Sequence, residues 1–325
     1  MKTPVVGIIG AANERHCLYV AAEIERNGAR PLILDNSPDL PFPLTMAGEG
    51  IFYYKEENLN AVGAFYLRAL FLPVPAFPTG PIERQLFEEG YRAYARERER
   101  YAVWLSWMRE EASAGKPFVN APDAGLWHFV KPYQLNVLRR AGLPVPATLV
   151  TGSSEALSEF RRKYRRVVYK PVAGGAHCRL LTEADLAPER LERLSAAPVL
   201  FQEYVPGADL RVFVLDGRVI AAFRVEGENG VDYRTGRPNV EPYVADGPIA
   251  DIAVRACRTL GLVFAGVDLK LAPDGRIALL ECNPSPMFEG FDRAAPVTVC
   301  SQLAAYLIEK ARSGAARASA GGTGR

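Results

Sequence analysis

Residues 264–283, FAGVDLKLAPDGRIALLECN, form two apolar runs of strand-like composition that meet at Asp274-Gly275, a dipeptide that favours tight hairpins. With a loop of two or four residues centred there, Asp268 lies directly opposite Glu281, and Asn283, two residues on, shares their face. Two carboxylates so placed repel one another unless something positive sits between them. Oxygens of Asp, Glu and Asn on one surface are hard ligands that suit Mg2+, particularly where substrate phosphates complete its octahedron. Two other readings stand beside this one. In the first, the carboxylates are ordinary polar residues facing water. In the second, Pro273-Asp274-Gly275 makes a three-residue turn with a glycine bulge, which shifts the pairing by one and separates them.

A matching hairpin is expected upstream, with strands at 211–215 and 219–225 about Asp216-Gly217. A two-residue turn there sets Asp209 opposite Arg224, with Arg211 on the same face. One Asp-Arg pair is commonplace, but a second arginine leaves a positive surplus that suits a phosphate or a substrate carboxylate. Lys131 precedes Pro132, a residue suited to the first position of a helix, so a cation is expected at the positive end of the macrodipole. Such a lysine either turns into solvent or serves an anion that the helix amides also attract. Lys170 ends Val167-Val-Tyr-Lys and precedes Ala173-Gly-Gly-Ala, a small loop of the sort that lies over phosphates.

The N-terminal part reads strand (5–9), helix (17–26), strand (31–34), a βαβ start whose Gly7 and Gly10 do not complete a G-x-G-x-x-G fingerprint. His16, at the start of that helix, reads as a structural hydrogen-bonding residue, with a substrate contact as the alternative. A long helix is expected over 81–112, with Ile82, Leu86, Tyr91, Tyr94, Tyr101, Trp104, Leu105 and Met108 as an apolar face for core or partner packing. Further helices are expected over 132–141, 154–163, 249–260 and 297–311, and further strands over 167–170 and 199–204. Residues 313–325, built of Ala, Gly, Ser and Arg with one Thr, read as a disordered tail.

Composition narrows the function. Of 325 residues, 39 are basic and 37 acidic, a formal charge of +2, so no basic excess exists to displace counterions from a nucleic acid. No apolar run reaches the length of a membrane helix or a signal peptide's core. The five cysteines include no C-x-x-C pair, which points away from a disulfide framework or a zinc site and towards the cytoplasm.

In order and spacing these blocks resemble the ATP-grasp superfamily, and within it the RimK-type glutamate ligases and graspetide macrocyclases. The resemblance rests on Phe118-Val-Asn-Ala-Pro through Lys131 to Gly142-Leu-Pro-Val-Pro-Ala-Thr, on Val168-Tyr-Lys-Pro and on Phe201-Gln-Glu-Tyr-Val-Pro-Gly-Ala-Asp-Leu-Arg-Val-Phe-Val. It continues through Phe264-Ala-Gly-Val-Asp-Leu and Leu280-Glu-Cys-Asn-Pro-Ser-Pro. It implies an α/β protein, α+β in its C-terminal part, with an ATP-grasp fold behind a pre-ATP-grasp Rossmann-like domain. The implied divisions are 1–118, 119–204 and 205–312, followed by the tail. By the same resemblance Lys131 and Lys170 hold the α and β phosphates, and the backbone of Glu203, Tyr204 and Val205 binds adenine. Asp209 holds the ribose or orders the site, and Arg224, with Arg211, faces the γ-phosphate and acyl phosphate. Arg234, in Asp232-Tyr-Arg-Thr, approaches the reacting group, while Asp268, Glu281 and Asn283 hold Mg2+, with Mn2+ as an alternative ion.

The chemistry so implied is ATP-dependent joining of a carboxylate to an amine through an acyl phosphate, with an amino acid or peptide as substrate. Positioning and neutralisation of phosphate charge supply most of such catalysis, which agrees with the lack of a Ser-His-Asp or Cys-His set in the sequence. Two rivals use the same nucleotide site: an ATP-grasp kinase acting on a small molecule, and a nucleotide-binding protein without catalysis, suggested by the thin glycine loop. Neither nucleic acid nor membrane is expected as a partner, and a homo-oligomer is an expectation from the resemblance.

Overall fold

The computed structural model describes residues 3–38, 40–47, 50–69, 84, 87–173, 177–227, 239–296 and 298–321. The chain forms two compact units, one made of the residues up to Gly125 together with those from Met287 onward, the other of Leu126–Pro286. The helix Val299–Gly321 packs on the helix Arg15–Arg26 and on the strand Ala64–Leu67 of the first unit. Helical backbone also continues past Ser313 into the stretch read as a tail, where alanine, the best helix former, recurs.

The first unit is built on four parallel strands, β1 (Val5–Ile9), β2 (Arg30–Leu34), β6 (Ala64–Leu67) and β7 (Phe118–Val119), in the order β2-β1-β6-β7. A separate antiparallel sheet, β3 (Leu44–Ala47), β4 (Ile51–Tyr54) and β5 (Glu57–Asn58), lies between β2 and β6 in the chain. The helix Arg15–Arg26 starts where the Glu14 carboxylate accepts the Cys17 amide at 2.9 Å, and buries Cys17, Val20, Ala21 and Ile24 at helical spacing. His16 is buried, and its Nε2 accepts the Phe288 amide at 3.0 Å, the structural reading of that residue. The long helix, described over Tyr91–Ser113, buries Trp104, Trp107 and Met108 against Phe65, Phe118 and Tyr54. Of the expected face, Trp104 and Met108 are core, while Tyr94, Tyr101 and Leu105 are half-buried. Trp107, absent from the expected face, is fully buried and Tyr91, placed on that face, is exposed, while Ile82 and Leu86 lie outside the described residues.

The second unit carries two antiparallel sheets. The smaller is ordered β10-β9-β11-β8, from β8 (Thr148–Thr151), β9 (Val167–Pro171), β10 (Arg179–Leu180) and β11 (Val199–Glu203). The larger is ordered β14-β13-β12-β15-β16, from β12 (Ala208–Leu215), β13 (Arg218–Glu226), β14 (Asn239–Pro242), β15 (Phe264–Leu271) and β16 (Ile277–Asn283). The turn into β12 depends on Gly207, whose φ is +126° and whose missing side chain leaves room for β15. A Cβ there would stand 2.1 Å from the Leu271 carbonyl oxygen.

Two predictions follow from these contacts. Gly207→Ala combines a disallowed dihedral with a backbone clash and is expected to lower unfolding free energy by about 3 kcal/mol, measured by urea titration. The second concerns acid stability. Burial raises the Glu14 pKa, but the His16 hydrogen bond, the Arg68 guanidinium and the Cys17 amide together outweigh it and pull the carboxyl from 4.5 down to about 2. A depressed acid stabilises the fold fully above pH 4.5 and loses that contribution as pH falls towards 2. Glu14→Gln is expected to flatten the stability curve across this window, and a slope equal to the parent's would contradict the assignment.

Candidate active site

Lys131, Lys170, Asp209, Arg211, Asp268 and Glu281 meet on one face of the larger sheet, and two irregularities in the β15–β16 hairpin set Asp268 opposite Glu281 there. The turn is the three-residue one: the Ala272 amide donates to Arg276 at 2.9 Å, the Gly275 amide donates to Ala272 at 3.0 Å, and Gly275 has φ +84°. Leu271 accordingly pairs with Ile277 and Leu269 with Leu279. The register then shifts between Leu269 and Asp268, leaving Leu280 as the extra residue. Beyond that bulge Asp268 lies opposite Glu281 and Gly266 opposite Asn283, the pairing expected from a simple turn.

The upstream hairpin requires a correction. Its two-residue turn is present, with Leu215 opposite Arg218 and Val214 opposite Val219, but the register shifts between Val214 and Phe213, so that Ile220 is extra. Asp209 is therefore opposite Val225, and Arg224 is opposite Leu210, on the other face of the sheet. Arg224 is exposed and donates to Glu226 at 3.0 Å. The partners of Asp209 and Arg211 come from β15 instead, where Asp209 pairs with Lys270 and Arg211 with Asp268.

The charges are paired closely. Lys131 Nζ and Lys170 Nζ both approach Glu281 Oε2, at 2.8 and 3.2 Å. Arg211 donates to Asp268 Oδ1 at 2.7 Å, and Lys270 to Asp209 Oδ2 at 2.8 Å. Lys131 stands at the first position of the helix Lys131–Arg140 and is buried, so it does not turn into solvent. Lys170, Asp209, Asp268 and Glu281 line one cavity with Glu203, Tyr204 and Val205. Asn283 lies on the same strand face, and its Oδ1 accepts the Ser285 amide at 2.9 Å. Arg234 and most of the Ala173-Gly-Gly-Ala loop lie outside the described residues. Cys282 faces the interior beside Cys257; contact with that thiol, then burial, pushes its own thiol pKa well up, which keeps it protonated.

Two participants escaped the sequence reading. Lys270 is one, although a lysine two residues after Asp268 in an apolar strand must share the aspartate's face. The other is Gln134, fully buried one helical turn after Lys131. Its Oε1 accepts the Cys282 amide and its Nε2 donates to the Cys282 carbonyl, both at 2.9 Å. That pair fixes β16 to the helix that carries Lys131.

Asp268 and Glu281 offer hard oxygen donors within the cavity, and among the described residues no three His, Cys, Asp or Glu side chains form a cluster able to hold a metal alone. This donor set fits Mg2+, which typically takes one or two carboxylates and fills its remaining positions with water and substrate phosphates.

A family model for the RimK-like ATP-grasp domain matches residues 131–307. The chain belongs to the RimK-like ATP-grasp family. It is an ATP-grasp ligase. The tetrahydromethanopterin:alpha-L-glutamate ligase of Methanocaldococcus jannaschii is 28% identical over 213 residues, 61% of this chain and 72% of that protein. A probable alpha-L-glutamate ligase of Mannheimia succiniciproducens is 30% identical over 213 residues, 61% of this chain and 70% of that relative. Among solved structures, the ATP-grasp ligase PsnB in complex with minimal precursor, Mg and ADP superposes with a TM-score of 0.83 at 33% identity, covering 94% of this chain and 97% of that one. Macrocyclase MdnC of Microcystis aeruginosa, bound with precursor peptide MdnA, shares the fold at a TM-score of 0.76 and 20% identity, covering 94% of this chain and 99% of its own. Among the described residues no helix is long and apolar enough to cross a membrane.

Gln134→Leu leaves the Cys282 amide and carbonyl buried without partners. A loss of about 3 kcal/mol in unfolding free energy is expected by urea titration.

Proposed function

We propose that this ligase joins a side-chain or terminal carboxylate of a peptide to an amine or hydroxyl through an acyl phosphate made from ATP. The observation that carries the reading is the convergence of Lys131 and Lys170 on Glu281, opposite an Asp268 held by Arg211. Two mobile ammonium groups and a fixed guanidinium beside two carboxylates form a site whose charges rearrange around phosphate. Asp268 and Glu281, with Asn283, would hold Mg2+, which would supply positive charge to neutralise what develops on the transferring phosphate.

The chain's own residues have separate tasks in this reading. Lys131 and Lys170 exchange the Glu281 carboxylate for phosphate oxygens, and the strand end at Glu203, Tyr204 and Val205 receives the base. Arg211 stays against the sheet and orients the transferred group beside Asp268. A substrate carboxylate oxygen attacks the γ-phosphorus, the bond to the β-phosphate bridging oxygen breaks, and ADP leaves. The amine or hydroxyl then attacks the acyl carbon and displaces phosphate. Arg224, on the opposite sheet face and paired with Glu226, is left out of the transfer step. Peptide rather than free amino acid is favoured because the likeness to PsnB, whose structure is in complex with minimal precursor, extends over 94% of the chain at 33% identity.

Asp268→Asn and Glu281→Gln are each expected to abolish acceptor-dependent ADP release while leaving the thermal unfolding transition in place. Parent-like turnover in either variant would overturn the reading. Mass spectrometry of the product separates ligation, which loses one water per bond formed, from a kinase reaction that leaves a stable phosphate on the acceptor.

A further inference from the structure

Lys270 is one of two buried lysines among the described residues, the other being Lys131. It is 5% exposed, and it projects from the strand face that also carries Asp268. Removing an ammonium group from water is costly unless its partners compensate. Here they are Asp209 Oδ2 at 2.8 Å and the Gly207 carbonyl at 3.3 Å. Both partners belong to the entry of β12, and Lys270 and Asp209 line the cavity beside Glu203, Tyr204 and Val205. The pair is thus built into the wall of the cavity that the strand end assigned to the base also lines, with Gly207 two residues beyond Val205.

We propose that Lys270 is a positioning residue for the nucleotide's sugar. Its ion pair holds the Asp209 carboxylate in one orientation at the cavity wall, so that the carboxylate accepts from a ribose hydroxyl and the site prefers a ribonucleotide to a deoxyribonucleotide. The inference rests on the reading that Asp209 meets the ribose. The cross-strand register supplies the geometry. Asp209–Lys270 and Arg211–Asp268 are adjacent pairs with the acid and base exchanged between strands, so each carboxylate is braced from the opposite strand and neither leans on the other.

The test is calorimetric binding of Mg·ATP, Mg·2′-deoxy-ATP and Mg·3′-deoxy-ATP to the full chain without acceptor. The proteins compared are the parent, Lys270→Met, Asp209→Asn and the double variant. Lys270→Met is expected to weaken ATP about tenfold, to leave the weaker deoxynucleotide nearly unchanged, and so to bring the ATP/deoxy-ATP ratio close to one. The double variant should match Asp209→Asn, because both substitutions remove one interaction. A parent-like ratio in Lys270→Met, with the ratio lost in Asp209→Asn, would overturn the role of Lys270 while leaving the sugar reading intact. A parent-like ratio in Asp209→Asn would overturn the sugar reading itself. If Lys270→Met fails to fold, the double variant, which leaves no buried lone charge, carries the comparison: discrimination equal to the parent's would still refute the proposal.

Discussion

Two carboxylates, Asp268 and Glu281, face each other across an antiparallel pair, and the surrounding structure must supply enough positive charge to offset their repulsion. Three cations do so from three different elements. Lys131 comes from a helix start, Lys170 from the smaller sheet and Arg211 from the neighbouring strand. Each is costly where it stands. Lys131 opposes a helix dipole, and Arg211 and Lys131 are almost wholly withdrawn from water. Such an arrangement persists only because the costs cancel against one another, and removing any one partner leaves an uncompensated charge behind.

Rigid backbone contacts make the cancellation geometrically possible. Gln134 clamps both polar groups of Cys282, the residue between Glu281 and Asn283, to the helix that bears Lys131. The distance from Lys131 to Glu281 is therefore set by a buried amide pair and does not depend on the long side chains alone. Gly266 does a similar service for Arg211, whose guanidinium lies where a Cβ at that position would be, 2.5 Å away. The guanidinium is thereby seated flat on the sheet, within reach of Asp268 and over the Phe213 ring.

How much of this was legible in the sequence depends on bulges. Hairpin arithmetic placed Asp268 opposite Glu281 correctly, yet only because a glycine turn and a second bulge at Leu280 displace the register by one in opposite senses. The same arithmetic failed upstream, where the lone bulge at Ile220 carries Arg224 to the far face. A bulge has little signature in composition: Leu280 and Ile220 are ordinary apolar strand residues, and the choice to leave one unpaired is made by packing on both faces. The lysines were legible for a different reason, since Pro132 fixes the helix start and Lys170 closes an apolar run. Gln134 was not, because a glutamine in a helix looks the same whether it faces water or a neighbouring strand's backbone. The docking of the last helix against the first unit was hidden too, being a contact between distant segments.

A final consequence concerns which species can settle in the site. Lys131, Lys170 and Arg211 slightly outweigh Asp268 and Glu281, and Lys270 cancels Asp209. A divalent cation entering alone would deepen that positive excess beside three cations, and a bare triphosphate would swing the cavity strongly negative against two carboxylates. Either arrival is opposed at short range in a partly buried cavity, where charges are weakly screened. Arriving together, the two nearly balance, and in the proposed reading the lysines would then exchange carboxylate for phosphate with little change in the total. The near neutrality of the whole chain, 39 basic against 37 acidic residues, says nothing of this. In the proposed reading, a preference for a metal–nucleotide pair over either component would follow from where five of those charges are held.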